Sequence, residues 1–455
     1  MKKVFYNLVE NLRKGVIKAN LFKDNMADNK LLGFLGSMQD GAVEHKKDVT
    51  KPKKPKKVMH AMLMSYQGKS YFGMQKQKVE ATIESHILDA MKAIGVISEE
   101  ECSKPNLFWF QRAARTDRAV SAVGQICSMQ LPLDQDFIDN GHLKLNEHLP
   151  KDIRVMSIKR TTPSFHAQKT CDARTYSYTL PTFAFAEMDK LTTWDYRISE
   201  NRIDEINDVL ASYLGTHNFF NYTSKKEHDD RSCYRYIKSF ECTKPFLYHD
   251  SFRNKDVEFI TVYVKGQSFI LHQIRKMMGM VISVVRGLAY KSDILKTFES
   301  KRMDVPRAPG LGLLLEKLHY DVYSERHGLS HSSLNDWGEE VEKRVQSFRD
   351  EYIVSEILSS ECQSQQMMQW LSSLIHHRFA CDPRDENGES QSAMRDASRM
   401  ATSEAHVSDV PPTATEVESN EVGTDAVASL PEASESAEDV IDEEEPEEKK
   451  ARVAS

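Results

Sequence analysis

The sequence predicts an α+β protein. Strand-like and helix-like stretches both recur along the chain, but without the strict one-strand, one-helix rhythm of a doubly wound parallel sheet. No glycine-rich nucleotide loop joins them. Forty per cent apolar and 9 per cent aromatic residues suffice for a sizeable core, and 455 residues exceed one ordinary domain.

Taken in order, residues 1–24 place Phe5, Leu8, Val9, Leu12, Val16 and Ile17 at helical spacing among lysines and arginine. That pattern suits a docked surface helix or a mitochondrial presequence; Glu10 and the lack of serine speak against the second. Lys51 to Lys57 packs five lysines around Pro52 and Pro55, which prevent a helix and leave an extended cationic strip. Such strips act as import signals, nucleic-acid contacts or solvated linkers. Val58 to Ser65 reads as a strand, and Val79, Ile83, Ile87, Met91 and Ile94 as a helical stripe. Gly124 to Leu131, Ile153 to Lys159, Arg174 to Leu180, Val257 to Val264 and Leu311 to Tyr320 supply further strands. Ile203, Ile206, Val209, Leu210 and Tyr213 mark a second helix, and Phe269 to Leu288 a third whose polar face bears His272, Arg275 and Lys276. Within 326–380, Trp337, Val341, Val345, Ile353, Ile357 and Leu358 stand at near-helical spacing. Beyond Phe379 there is no aromatic residue, so 381–455 cannot bury enough apolar area to offset ordering and is expected to be disordered.

The net charge of -7 conceals an uneven distribution. Residues 381–455 carry 21 acidic and 6 basic side chains, leaving the remaining 380 residues with 47 acidic and 55 basic ones. A mildly basic body with an acidic tail suits a polyanionic partner. No uninterrupted apolar run is long enough to span a membrane, and no secretory leader pattern opens the chain. Seven cysteines without a C-x-x-C pair argue against a disulfide scaffold or zinc ribbon and for a reducing compartment.

Ala114 to Gln125 is the densest cluster of unusual residues, with Arg115 and Arg118 flanking Asp117. A carboxylate between cations stays ionised. A positioned anion of this kind can attack an electrophilic sugar carbon, although a loop salt bridge is the commoner use of such a tripeptide. The motifs of zinc deaminases, zincins, α/β-hydrolases and P-loop enzymes are all missing, and no second carboxylate pairs with Asp117 as glycosidases require.

Five ordered motifs resemble the TruA family of tRNA pseudouridine synthases. They are Tyr66-Gln-Gly-Lys-Ser-Tyr-Phe-Gly-Met-Gln75, the Ala114 to Gln125 segment with its R-T-D core, and Phe165-His-Ala followed by Ala173-Arg-Thr-Tyr-Ser-Tyr178. Gly266 to Gly279, containing Arg275, and Pro306-Arg-Ala-Pro-Gly-Leu-Gly-Leu313 complete the set. Leu145 to Pro150, Cys171 to Phe185 and Ser232 to Ile237 are similar to the eukaryotic multisite branch. Arg118 and Ser121 depart from the commoner family residues without touching the R-T-D core.

The resemblance implies a mixed, mostly antiparallel sheet made from two similar α+β halves around an RNA-binding cleft. It implies an N-terminal extension (1–57), a first catalytic half (58–162), a second half (163–325), a helical extension (326–380) and the acidic tail (381–455). It implies conversion of uridine to pseudouridine in tRNA, with small nuclear and messenger RNA as further candidate targets, and needs no cofactor or metal. Asp117 would be the catalytic carboxylate, Arg275 its ion-pair partner and Tyr176 the neighbour of the uracil; spacing alone does not choose between Tyr176 and Tyr178. Arg115 would enter the base stack or hold phosphate. The added helices favour a monomer over the family's dimer. A nuclear pool with a mitochondrial fraction is expected, and no membrane association. A binding protein without catalysis and a glycosylase releasing free base are the competing readings.

Overall fold

The computed structural model describes residues 56–188, 192–377 and 379. The 1–24 stripe, most of the lysine strip and the acidic tail lie outside the described residues. Ten strands form one open sheet: β1 (Lys57–Tyr66), β2 (Gln111–Arg112), β3 (Ser121–Pro132), β4 (Ile153–Arg160), β5 (Ala173–Pro181), β6 (Gly215–Asn218), β7 (Tyr234–Cys242), β8 (Phe246–Asp250), β9 (Lys255–Gly266) and β10 (Leu313–His319). Their spatial order is β4-β1-β3-β10-β5-β9-β7-β6, with β2 on β3 and β8 on β9. Among the described strands every pair is antiparallel except β3 with β10.

Two halves of one topology account for this order. In the first, α1 (Ile83–Ala93) follows β1 and α3 (Gln135–His148) joins β3 to β4; α2 (Glu99–Ser103) is a short accessory turn. In the second, α4 (Glu200–Ala211) follows β5 and α5 (Gln273–Val285) leads from β9 towards β10. The corresponding strands stand as β4-β1-β3 and β10-β5-β9, third-first-second in both. The second half carries β6, β7 and β8 as additions, and α6 (Lys291–Lys296) and α7 (Asp321–His327) flank β10 in sequence.

Tyr176 and Tyr178 of β5 share one face of the sheet, here the active face, and Thr175 and Ser177 the other, the rear face. β1 is buried along both faces, so its sequence reads as an apolar run rather than an alternation. The Val79 end of the predicted helical stripe is wrong: Val79 is 89 % exposed and α1 begins at Ile83, where Thr82 supplies a capping box with Ser85. The third predicted helix starts at Gln273 rather than Phe269. His272 adopts a left-handed conformation (φ 62°), and the Gln273 side chain accepts from the Ile270 N–H.

The chain beyond β10 forms α8 (Glu339–Phe348), a π-helical turn (Arg349–Val354), α9 (Ser355–Ser364) and α10 (Gln366–Leu374). Arg349 grips Glu316 of β10 through Nη2 at 2.8 Å and Nε at 3.1 Å, and Ser177 donates to the same carboxylate (2.7 Å). Lys159 lies over the Trp337 ring, and Arg253 donates to the Cys362 carbonyl. These contacts seat the extension on the rear face. Among the described residues no helix is long and apolar enough to cross a membrane.

His60 of β1 is fully buried against Phe137, and among the described residues neither ring nitrogen has a side-chain or backbone partner of good geometry. Burial lowers its pKa from 6.5 to about 4; the Val58 backbone offsets part of this and Arg160 adds to it. Because the folded pKa is depressed, His60 costs nothing above pH 6.5, and its contribution is lost as pH falls from 6.5 towards 4. Buried Glu361, raised by burial to about 7, titrates in the opposite sense, so wild type must be compared with a variant. His60→Leu should reduce the stability lost between pH 7.5 and pH 5 by about 2 kcal/mol. Urea unfolding at the two pH values measures it; an unchanged difference would acquit His60.

Candidate active site

The 113–120 loop before β3 carries the R-T-D sequence, and backbone packing and one buried amide hold it. Gln125, fully buried on β3, accepts from the Ala114 N–H (3.2 Å) and donates to the Ala114 carbonyl (2.8 Å). Its amide also approaches the Tyr66 hydroxyl (3.4 Å), which shares a hydrogen bond with the Thr116 hydroxyl (2.8 Å). The residue on each side of the loop's centre is therefore fixed from beneath, while Arg115, Asp117 and Arg118 are exposed.

The first motif exists to let this loop approach. Met74 N–H donates to the Thr116 carbonyl (3.1 Å), Ala119 N–H to the Tyr71 carbonyl (3.1 Å), and Gly68 N–H to the Ser121 hydroxyl (2.9 Å). A Cβ on Gly68 would lie 2.3 Å from the Val120 carbonyl oxygen, and one on Gly73 (φ 90°) 2.7 Å from that of Thr116. Only glycine permits such contacts between two backbones. Val120 N–H closes a turn onto the Asp117 carbonyl (3.1 Å), and Arg118 stacks over Phe72 at 4.5 Å.

The second half supplies the opposite wall. Tyr176 is 8 % exposed and meets Phe269 edge-on at 5.3 Å. Burial raises its hydroxyl well above the ordinary value; Arg174 opposes this, and the charge of Asp117 adds to it. Burial lowers the Arg275 guanidinium, Arg307 assists, and Tyr178 and Asp117 push back. The charge of Asp117 thus reaches both Tyr176 and Arg275. Arg275 Nε donates to the Ala308 carbonyl (2.8 Å), and Ala308 N–H to the Arg275 carbonyl (3.1 Å), so the strap at 306–312 fixes the arginine at both ends. Tyr178, which spacing left as an alternative to Tyr176, spends its hydroxyl on the Pro309 carbonyl of that strap (2.6 Å).

Arg115 has no hydrogen-bond or ion-pair partner among the described residues. Arg174 was overlooked at the sequence level: it bridges the halves by donating to the Gln267 (2.6 Å), Ala113 (3.1 Å) and Gln168 (3.3 Å) carbonyls. Lys276 was named only as part of a polar helix face. Burial, with Arg302 and Arg307 near, lowers it to about 8, while Asp304 opposes. The motifs contained Tyr66, Thr116 and Gln125, but nothing in their spacing disclosed that they meet. Among the described residues no group of three or more His, Cys, Asp or Glu side chains could hold a metal.

An exposed carboxylate on a fixed loop, whose charge reaches a neutral buried phenol and a clamped guanidinium, can engage a flat polar ring and the carbon to which it is joined. Arg115 and Arg118 on the loop and Arg307 on the strap are exposed cations, and half-buried Lys276 follows Arg275 in α5, a set that suits a polyanion. Comparison with known proteins agrees. A family model described as tRNA pseudouridine synthase matches residues 209–321, a span containing Arg275 but not Asp117 or Tyr176. The mouse pseudouridylate synthase 1 homolog is 41 % identical over 339 residues, 73 % of this chain and 77 % of its own. The human pseudouridylate synthase 1 homolog is 42 % identical over 325 residues, 70 % and 73 %. The tRNA pseudouridine synthase 1 of Yarrowia lipolytica is 29 % identical over 387 residues, 66 % and 71 %.

Gln125→Leu should leave a buried Ala114 N–H and carbonyl unpaired and release the loop. The expected result is a fall in single-turnover rate of about 10-fold or more with RNA affinity within about 2-fold of wild type, since no exposed cation is touched. Rate and affinity falling together would show that the fold, not the loop, had failed.

Proposed function

The chain belongs to the tRNA pseudouridine synthase family, and from that premise we propose which residues carry the reaction. The enzyme isomerises uridine to pseudouridine in tRNA: the C1′–N1 bond breaks, the uracil turns, C1′ bonds to C5, and the C5 proton is given up while N1 gains one. The base is retained, so no water need be activated and one carboxylate suffices. Asp117 is that carboxylate. It attacks C1′ to form an ester, or removes the C2′ proton to form a glycal. The observation that supports it is the exposed Asp117 on a loop fixed through Ala114 and Thr116, with its charge acting on Tyr176 and Arg275.

Arg275 orients the Asp117 carboxylate, and fixing direction is what such a pair does best in a half-buried site. Tyr176, neutral at physiological pH, packs against the uracil and is placed to pass the C5 proton. Arg115, exposed and without a partner among the described residues, fills the space left by the flipped nucleotide and recovers part of the unstacking cost. Small nuclear RNA and messenger RNA are further targets in this reading, since the cleft's cations recognise phosphate rather than one tRNA shape. The helices seated on the rear face favour a monomer. Asp117→Asn removes charge but keeps shape, so tRNA affinity should stay within about 2-fold while pseudouridine formation stops. Activity within about 10-fold of wild type would remove Asp117 from the mechanism.

A nuclear pool with a mitochondrial fraction is also proposed, on the lysine strip and the amphipathic opening of the chain. Changing Lys53, Lys54, Lys56 and Lys57 to Ala should move the protein out of the nucleus and leave the salt dependence of tRNA binding unchanged. Retained nuclear localisation with weaker binding and a shallower salt slope would make the strip an RNA contact instead.

A further inference from the structure

The rear face carries a second basic and aromatic surface that the reaction does not use. Lys317 of β10, Thr175 of β5, Lys265 of β9 and Ser239 of β7 are successive cross-strand partners, so they form one row across four strands. Lys238 occupies the bulge beside Ser239. Lys317 and Lys265 stand two strands, about 10 Å, apart, whereas Lys238 neighbours Lys265 on the adjacent strand. None of the three lysines has a hydrogen bond or ion pair among the described residues, whereas nearby Glu316 is committed to Arg349. His319, bonded to the Thr175 hydroxyl at 2.8 Å, lies within the field of all three.

At the outer end of the row, Tyr234 and Tyr236 of β7 are 50 % and 44 % exposed. They alternate with Arg235 and with buried Ile237, which packs beside Gly266 towards Phe269 on the active face. Arg235 feels the charge of Arg174 on that same active face. The strand next to the β6 edge therefore presents a cation to the cleft and two tyrosines to the rear.

We propose that this rear surface is a second RNA contact, taken by a part of the substrate remote from the target uridine that passes over the β7–β6 edge. The inference rests on the tRNA reading above. A basic row without ion-pair partners among the described residues suits a polyanion, and exposed tyrosines at its end accept the faces of unpaired bases, each worth about 5-fold or more in affinity. The contact is sequence-tolerant, since ammonium groups read phosphate and aromatic rings read any base.

The test uses the full chain and a full-length tRNA transcript that the wild type modifies. Lys238, Lys265 and Lys317 changed together to Ala should weaken binding about 10-fold at physiological salt and make the log–log salt slope shallower by about 2 to 3. The single-turnover rate at saturating enzyme should be unchanged. The triple Arg variant should bind as wild type. A control triple, Lys92, Lys104 and Lys343 to Ala, removes equal charge elsewhere and should do so too. Tyr234 and Tyr236 changed to Ala should weaken binding with the salt slope kept. Wild-type affinity and slope in the lysine triple would overturn the proposal and assign the surface to an acidic protein partner or to solvent. An equal loss in the control triple would overturn it in favour of net charge. A wild-type chain that binds tRNA but forms no pseudouridine would sink the functional reading alone, because the binding measurements stand without turnover.

Discussion

The parallel pairing of β3 with β10 is the constraint on which the site depends. It is brief: Leu314 pairs with Ser121 and Leu315 with Ala122. Yet Leu315 also pairs with Tyr176 on its other side, so Ala122, Leu315 and Tyr176 stand in one row across three strands. Adjacent strands are about 5 Å apart, which sets Tyr176 about 10 Å from the strand that the Asp117 loop enters. The same strand β10 receives the strap that clamps Arg275. Residues 117, 176 and 275 are far apart in sequence, and one two-residue ladder between the halves brings them to one place.

How far this was legible depends on the residue. β1, β3, β4, β5, β9 and β10 were readable because each is an apolar run or alternation of ordinary length, and β9 alternates cleanly; β2, β7 and β8, short or largely exposed, were not foreseen. The R-T-D loop stood out through its charges. What periodicity could not decide was Tyr176 against Tyr178, since both point to one face; the strap's Pro309 carbonyl, which engages Tyr178, lies 131 residues away. The start of α5 was misread because Phe269, Ile270 and Ile274 keep helical spacing through a left-handed residue at His272, and spacing carries no information on φ. β6, four residues long with the sequence Gly-Thr-His-Asn, has no apolar alternation to read and exists only because β7 pairs with it. Gln125 was invisible as a clamp for a similar reason: its partners are a backbone 11 residues back and a tyrosine 59 residues back.

The electrostatic environment of the cleft follows from burial on one side and exposure on the other. Tyr66, Tyr176 and Tyr178, phenols already neutral at physiological pH, have hydroxyls raised further by burial, so the floor stays neutral and polar. Asp117 is exposed and its charge reaches Tyr176, and exposed cations lie beside it on the loop. Charge at the rim attracts a polyanion over a distance of about a Debye length, while a neutral floor adds no repulsion when the uracil settles on it. Buried anions there would have opposed the substrate, and buried lysines would have lost their protons. Lys276 approaches that limit, with a pKa of about 8 among Arg302 and Arg307, and it keeps its place by donating to the Asn221 carbonyl (3.0 Å).

The rear face is divided by the same logic. A twisted open sheet of ten strands exposes two faces, and only one can be the cleft. Val257, Phe259 and Leu358 with Cys362 form a separate apolar cluster between β9 and α9, and Arg349 closes over Glu316 at the sheet's centre. The extension thus covers those rear residues whose exposure would cost most in water. Lys317, Lys265 and Lys238 lie just beyond that covered area. Their ammonium groups gain nothing from burial and would lose hydration under a helix. The one charged β10 residue that is covered, Glu316, has Arg349 and Ser177 as partners, whereas the three lysines beyond it have no hydrogen bond or ion pair among the described residues.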